Sequence, residues 1–217
     1  MTKDMTSADL ASLLCSRLCH DLMSPVGALS NGLELLADED DPEMRDKVLE
    51  LLADSARTSA NKLKFFRLAF GAAGGFGAEV DTSEAEAAVR GLFGADKRLE
   101  IGWTVNDGKL AKGAVKLLLN LALIAGDALV RGGRLDIGGE NRGGEIELVI
   151  RAEGPRMILD PTLRDVLVNG LKGETIEPRA AGAWLAYALA NEAGGQIRLS
   201  DPSDELLLMG VTIPAPR

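Results

Sequence analysis

Histidine is almost absent from this sequence, which has a single one, His20, in 217 residues. Cysteine is nearly as rare, and both cysteines, Cys15 and Cys19, lie close to that histidine. Structural zinc sites usually have about four protein ligands, and His20 faces away from Cys15 on a helix, so we predict no metal site. The two cysteines are predicted to stay reduced near a helical core, as is typical of cytoplasmic proteins.

Aromatic residues and positive charge are also scarce. Aromatic residues make up 4% of the chain and the net charge is -9, which argues against nucleic acid as a partner. An apolar run of about 18 residues, as a membrane helix needs, is missing. The nearest candidate, 117–130, contains Asp127 and lies between Lys116 and Arg131, so it fits a buried helix. We therefore expect a cytoplasmic protein that binds neither nucleic acid nor membrane.

The first part of the chain repeats apolar residues at helical spacing. Apart from the adjacent pair Leu13 and Leu14, apolar residues recur at spacings of three or four: Leu10, Leu13, Leu14, Leu18, Leu22, Val26, Leu29, Leu33 and Leu36. This period predicts an amphipathic helix that buries one stripe. At about 100° per residue, His20 falls outside that stripe on a polar face, so we expect an exposed imidazole.

A second helix is predicted after the acidic break at 38–41. Asp41 is a good helix cap, and Pro42 suits the first helical position. The apolar positions of this helix are Val48, Leu51, Leu52, Leu63, Phe66 and Phe70. The short connection predicts an antiparallel helical hairpin, which buries too little surface to be stable alone. It either pairs with a second copy in a dimeric four-helix bundle, which we favour, or packs on its own chain.

A glycine-rich segment, 71–77, then interrupts the periodicity and is typical of a linker. It divides the chain into predicted domains 1–72 and 78–217. The second domain should contain helices over 82–93, 110–130, 162–168 and 179–193, with strands over 98–105, 134–137, 145–152, 196–200 and 206–213. The expected fold is α+β, a helical hairpin followed by an α/β sandwich with helices on one face of a mixed sheet.

The segment around the histidine carries a moderately specific motif. Pro25 interrupts a helix at a cost of about 3 kcal/mol, which suggests a special role for this turn. Residues 20–26, HDLMSPV, resemble the phosphoacceptor box of sensor histidine kinases: histidine, an acid, an apolar residue, and a proline five positions after the histidine.

The C-terminal part resembles the ATP-binding (Bergerat-type) domain of histidine kinases without its nucleotide groups. The run 117–125 resembles the kinase N box, with Asn120 at its first asparagine, but Ile124 replaces the asparagine that holds magnesium. Ala152 stands where the adenine-reading aspartate is expected. The segment 178–185 has a single glycine where kinases use several to approach phosphates.

A phosphoacceptor box joined to a degenerate ATP domain resembles the histidine phosphotransferases of the ChpT type, over essentially the whole chain. The resemblance implies a homodimeric phosphorelay protein without cofactors. It would accept phosphate from the receiver domain of a hybrid histidine kinase and pass it to response regulators, while the receiver supplies Mg²⁺. The alternatives are an ATP-dependent histidine kinase core and a non-catalytic dimeric adaptor that binds receivers.

The resemblance also assigns roles to individual residues. His20 is the expected phosphoacceptor. Asp21 either orients its ring or accepts its other proton, although a solvated acid without a role is an equal alternative. Ser24, one turn further on, is a candidate donor to the phosphoryl oxygens, although a serine on an exposed helix face is commonly inert. The receiver-binding candidates share the face around His20: Arg17, Met23, Gly27 and Asn31.

Overall fold

The computed structural model describes residues 5–71, 78–94, 96–170 and 177–215. The helices are α1 (Ser7–Asp38), α2 (Pro42–Ala69), α3 (Thr82–Phe93), α4 (Lys112–Ala128), α5 (Pro161–Asn169) and α6 (Ala181–Glu192), with a 3₁₀ turn at Pro178–Ala180. The strands are β1 (Glu79–Asp81), β2 (Leu99–Val105), β3 (Lys109–Ala111), β4 (Gly133–Arg142), β5 (Glu145–Glu153), β6 (Arg198–Leu199) and β7 (Leu206–Pro214). The predicted α+β fold is confirmed.

Helices α1 and α2 form the helical hairpin, and local sequence explains where each begins. Thr6 and Asp9 form a capping box at the start of α1, and Asp41 caps α2 ahead of Pro42. Arg45 donates to the carbonyls of Leu36 and Glu39 at 3.1 and 2.7 Å, which satisfies free carbonyl groups at the end of α1. The antiparallel arrangement is therefore fixed by groups at the turn itself.

The sheet domain, 79–214, is built on a five-stranded sheet in the order β2-β4-β5-β7-β6. The β2 and β4 strands are parallel and the other neighbours are antiparallel. On β5, Ile146, Leu148, Ile150 and Ala152 are buried and alternate with outward residues, which is the pattern of a sheet covered on one face. Helices α3, α4 and α5 pack against strands of this sheet.

Helix α4 is the centre of the hydrophobic core. It packs against the sheet, α2, α3 and α6 together. A helix that is apolar on all sides must be buried on all sides, which explains the long apolar run 117–126. Phe65 and Phe66 of α2 belong to the same buried cluster, so the C-terminal half of α2 is part of the sheet domain's core.

Several predicted boundaries shift in the structure. The helix predicted from residue 110 begins at Lys112, because Leu110 lies in β3, which pairs with β1 in a small unpredicted sheet. The predicted end of a strand at residue 137 is wrong: β4 continues to Arg142 and the turn consists of Gly143 and Gly144, with φ of 64° and 89°. A two-residue turn with positive φ at both positions matches the twist of paired strands and favours glycine. The predicted helix from 179 begins at Ala181, after the 3₁₀ turn.

Two groups of residues that were predicted to be buried are exposed in the single chain, in which a second copy is not present to cover α1. Val26 and Leu33, assigned to the buried stripe of α1, are 51% and 60% exposed. Cys15 and Cys19 are also exposed rather than near a core. The proposed domain boundary stays a prediction, since 72–77 lie outside the described residues. Within the described ranges, no helix combines the length and apolarity needed to cross a lipid bilayer.

Candidate functional site

His20 lies in the middle of α1 and its side chain is 83% exposed. The expected exposed imidazole is therefore present. Its Nδ1 lies 3.1 Å from Oδ1 of Asp21. The ring is thus open to an incoming group and has a carboxylate next to one nitrogen, which is a suitable arrangement for a nucleophile with a fixed tautomer.

The Asp21 carboxylate is held on its other oxygen by Arg17. The Nε atom of Arg17 donates to Oδ2 of Asp21 at 2.7 Å, and both side chains are more than four-fifths buried. The second arm of the guanidinium, Nη2, donates to Oδ2 of Asp127 at the end of α4, also at 2.7 Å. One arginine therefore bridges two carboxylates from the two parts of the molecule.

Charge balance around this arginine explains the direction of two pKa shifts. Burial tends to lower the pKa of Arg17, but the carboxylates of Asp127 and Asp21 outweigh it and raise the pKa. Desolvation raises the pKa of Asp127, and the Arg17 guanidinium opposes that rise. The Asp127 side chain keeps 51% of its exposure, so we regard it as partly solvated.

Pro25 is buried inside an uninterrupted α1. A proline has no N–H, so it cannot satisfy the carbonyl four residues before it, which is that of Asp21. Lys62 of α2 fills this gap, since its Nζ donates to the Asp21 carbonyl oxygen at 2.7 Å. The motif's proline thus creates an acceptor that ties the residue after His20 to the neighbouring helix.

The other predicted site residues lie on α1 without a comparable network. Met23, Ser24 and Asn31 are exposed and Gly27 is half-buried, with open space where its Cβ would be. Arg17 makes the two ion pairs above, and its predicted part in receiver binding stays a prediction. Sequence reasoning missed Lys62 and Asp127. The carbonyl freed by Pro25 was a signal for Lys62, and the acidic residue ending an apolar helix was one for Asp127.

The region that resembles a nucleotide site is packed or acidic. Asn120 is fully buried, and its Nδ2 donates to the carbonyls of Ala69 and Lys116 at 3.0 and 2.8 Å. Ile124 is buried in the core, where it offers no oxygen ligand. The open groove beside Gly154 is lined by residues that include Glu153, Asp204 and Glu205. Acidic side chains there would repel a triphosphate.

Comparison with known proteins now identifies the family. The model of the histidine phosphotransferase C-terminal domain matches residues 82–205. The chain is 36% identical over 207 residues to protein phosphotransferase ChpT of Brucella abortus (strain 2308), covering 94% of this chain and 95% of that protein. The chain belongs to the histidine phosphotransferase family. The prediction of a histidine phosphotransferase of the ChpT type, and of an enzyme, is confirmed at this level.

One solved structure agrees with this histidine phosphotransferase assignment. A structure described as a bacterial phosphotransferase superposes with a TM-score of 0.84 at 32% identity, over 97% of this chain and 99% of that one. The histidine kinase AdeS of Acinetobacter baumannii is a weaker match, with a TM-score of 0.47 at 16% identity over 91% and 98% of the two chains. The first match covers the helical hairpin as well as the sheet domain.

Proposed function

We propose that His20 is the phosphoacceptor of this histidine phosphotransferase, taking phosphate from a receiver-domain aspartate and passing it to response regulators. The observation that carries the proposal is the 83% exposed imidazole whose Nδ1 lies 3.1 Å from the Asp21 carboxylate. This is the only histidine in the chain. A family named for histidine phosphotransfer needs a histidine, and no other one is available.

The contact between His20 and Asp21 supports different roles for the two ring nitrogens: Nδ1 carries the proton and Nε2 takes the phosphoryl group. With the proton on Nδ1 hydrogen-bonded to Asp21, the Nε2 lone pair is free to attack phosphorus in line with the receiver's aspartate oxygen. The P–N bond forms as the P–O bond breaks, and the receiver's carboxylate leaves. The positive charge of the phosphorylated ring is balanced by Asp21. A second receiver's aspartate reverses these steps and releases the neutral ring.

The partner receiver supplies the Mg²⁺ in this scheme, and the chain itself needs no cofactor. Groups on α1 provide the docking surface: the exposed Met23, Ser24 and Asn31 and the half-buried Gly27. Met23 is 69% exposed and offers an adaptable apolar contact one turn from the ring. Ser24 lies on the same exposed side of α1, and its hydroxyl is a candidate donor to phosphoryl oxygens. Arg17 is a weaker candidate for docking because its guanidinium already has two partners.

Phosphate transfer from a labelled receiver tests the proposal directly. A purified receiver domain carrying ³²P-aspartyl phosphate is mixed with the full chain, and we expect acid-labile, base-stable label to appear on the chain. His20→Gln should abolish the label while its circular dichroism spectrum stays that of the unsubstituted protein. Label that persists in His20→Gln would contradict the assignment. Transfer to regulators that survives this substitution would favour the adaptor function.

Nucleotide binding separates this function from a histidine kinase core. The acidic groove beside Gly154 and the buried Ile124 lead us to expect no saturable ATP binding at millimolar nucleotide with Mg²⁺. Isothermal titration calorimetry with ATP measures this. Saturable binding, together with ATP-dependent labelling of His20, would establish the kinase alternative.

We also propose that the helical hairpin pairs with a second copy of the chain in a four-helix bundle. Val26 and Leu33 lie seven residues apart on α1 and are about half exposed, as are Met44 and Leu51, seven residues apart on α2. Apolar stripes of this kind on two adjacent helices are typical of a bundle seam. Sedimentation should show a dimer that Leu33→Glu converts to a monomer. The control is Leu208→Glu, which makes the same change at a leucine on the sheet. This variant should remain dimeric.

A further inference from the structure

We propose that Asp127 is a positioning residue for His20, acting from the sheet domain through Arg17 and Asp21. The proposal rests on the assignment of His20 as the phosphoacceptor. Three contacts link the residues: Asp127 to Arg17 at 2.7 Å, Arg17 to Asp21 at 2.7 Å, and Asp21 to His20 at 3.1 Å. The chain of contacts runs from the C-terminal end of α4 to the middle of α1.

The Arg17–Asp21 pair, in the middle of this series of contacts, is held more firmly than an ordinary surface ion pair. The side chains of Arg17 and Asp21 are 16% and 17% exposed. Surface pairs are worth little because both side chains are mobile and solvated, whereas a guanidinium that is buried between two carboxylates has one favoured geometry. The Asp21 backbone is fixed as well, through Lys62. The position of the Asp21 carboxylate is therefore set mainly by the groups that it contacts.

Asp127 determines how the guanidinium divides its donors. With Asp127 present, Arg17 gives Nε to one Asp21 oxygen and Nη2 to Asp127, so Asp21 Oδ1 remains for the imidazole. Without the Asp127 carboxylate, the planar fork of Arg17 is free to bind both oxygens of Asp21, which is the preferred bidentate geometry. It would then compete with His20 Nδ1 for Oδ1. Asp127 thus keeps Asp21 available to hold the ring.

The local charges support this role. The charged groups that act on Asp127 are Arg17, Asp21 and Lys62. Two carboxylates and two cations meet here, so removal of one carboxylate leaves Asp21 as the remaining anion for both cations. The effect on His20 is therefore expected from a substitution that touches neither His20 nor the proposed docking face. It also gives the sheet domain a direct part in the chemistry on the helical hairpin.

The test combines transfer kinetics with the nitrogen spectrum of the imidazole. Because the chain has one histidine, a ¹⁵N-labelled sample gives a single set of ring signals that report which nitrogen carries the proton. For Asp127→Asn we expect transfer from a phosphorylated receiver to slow about tenfold, and the ring to lose its Nδ1–H tautomer. Asp127→Glu should restore both. The matched control, Asp54→Asn, also removes an acid from an arginine pair and should change neither.

Each outcome decides the proposal. Slower transfer together with a changed tautomer supports it, and slower transfer with unchanged ring nitrogens overturns it, since Asp127 would then act only on folding or docking. Transfer at the normal rate in Asp127→Asn also overturns it. If the unsubstituted protein accepts no phosphate, the proposed function fails instead, while the nitrogen spectra still test whether Asp127 sets the ring's tautomer.

Discussion

The helical hairpin and the sheet domain bury their apolar residues in different ways. Of the 17 residues of α4, thirteen are buried within the chain. Of the 32 residues of α1, only Pro25 and Gly32 are buried within the chain. The sheet domain therefore buries most of its apolar residues within the chain, although a few such as Val149 and Leu208 stay exposed. The helical hairpin keeps Met23, Val26 and Leu33 exposed on the helix that carries the single histidine. A contiguous patch of large apolar residues exposed to water is typical of a surface that binds a partner.

The two regions nevertheless depend on each other. The C-terminal half of α2 contributes Phe65 and Phe66 to the buried cluster of the sheet domain. Arg17 and Asp127 connect α1 to α4 near His20. The proposed phosphoacceptor is thus placed on the region with little core of its own, and its surroundings are held partly by the region with a large core. Most of the hydrophobic core lies in the sheet domain and the proposed phosphoacceptor lies on the helical hairpin, but a few contacts couple the two regions.

Truncation of a leucine in each region should give the largest difference in stability loss between the sheet domain and the helical hairpin. We expect Leu118→Ala, at a position 1% exposed, to lower the free energy of unfolding by about 3 kcal/mol, because it leaves a cavity in the packed centre. Leu35→Ala on α1, at a position 59% exposed, should lower it by less than about 0.5 kcal/mol. Urea denaturation followed by circular dichroism measures both. Equal losses would show that the hairpin has a core of comparable density.

The same glycine-to-alanine change in each region tests how rigidly the two regions are packed. A Cβ at Gly126 would lie 2.4 Å from the Phe93 ring, so we expect Gly126→Ala to destabilise by about 2 kcal/mol. A Cβ at Gly32 would lie 2.8 Å from the end of Leu52, a half-buried side chain that can rotate away. Gly32→Ala should change stability by less than about 1 kcal/mol, because alanine's helix propensity offsets the contact. Thermal unfolding of the pair decides the comparison, and a larger loss for Gly32→Ala would reverse it.

Asn120→Ala tests the junction between the regions. Its Nδ2 donates to the carbonyl of Ala69 at the end of α2, so the substitution leaves a buried acceptor without that donor. The expected loss is about 1–2 kcal/mol, the usual cost of removing one partner of a buried hydrogen bond. Hydrogen exchange should increase most at the C-terminal end of α2. Protection there that stays unchanged would mean that packing alone fixes this helix end.

The smallest effect is expected from an exposed pair in the sheet domain. Hydrogen bonds from the side chain and then the backbone N–H of Arg98 lower the pKa of Asp96 from 3.8 to about 2. Because the folded pKa lies below the unfolded value, the stabilisation is present above about pH 4 and is lost as the pH falls toward 2. Arg98→Gln should raise the Asp96 pKa, measured by carboxyl ¹³C titration. An unchanged pKa would assign the shift to the backbone N–H.

Local patterns predicted most of the elements and the exposure of the proposed phosphoacceptor. The helix Thr82–Phe93 matches its prediction because its apolar period and its start are written in adjacent residues. The exposure of His20 followed from its phase relative to the leucine stripe. The boundary at Leu110 and the turn at 143–144 were missed, because a short strand is defined by its partner and a long strand can pass through glycines.

The sequence by itself determined the family, the helical hairpin with its kink-prone motif, and the single candidate phosphoacceptor, because periodicity, caps and motifs depend on residues close together along the chain. Only the tertiary structure showed that Arg17 lies between Asp21 and Asp127, that Lys62 takes the carbonyl freed by Pro25, and that Val26 and Leu33 of the apolar stripe of α1 are left exposed. These pairs are separated by 41 residues or more, apart from Arg17 and Asp21, and no local period encodes such contacts. Their distances depend on how the helical hairpin packs on the sheet domain.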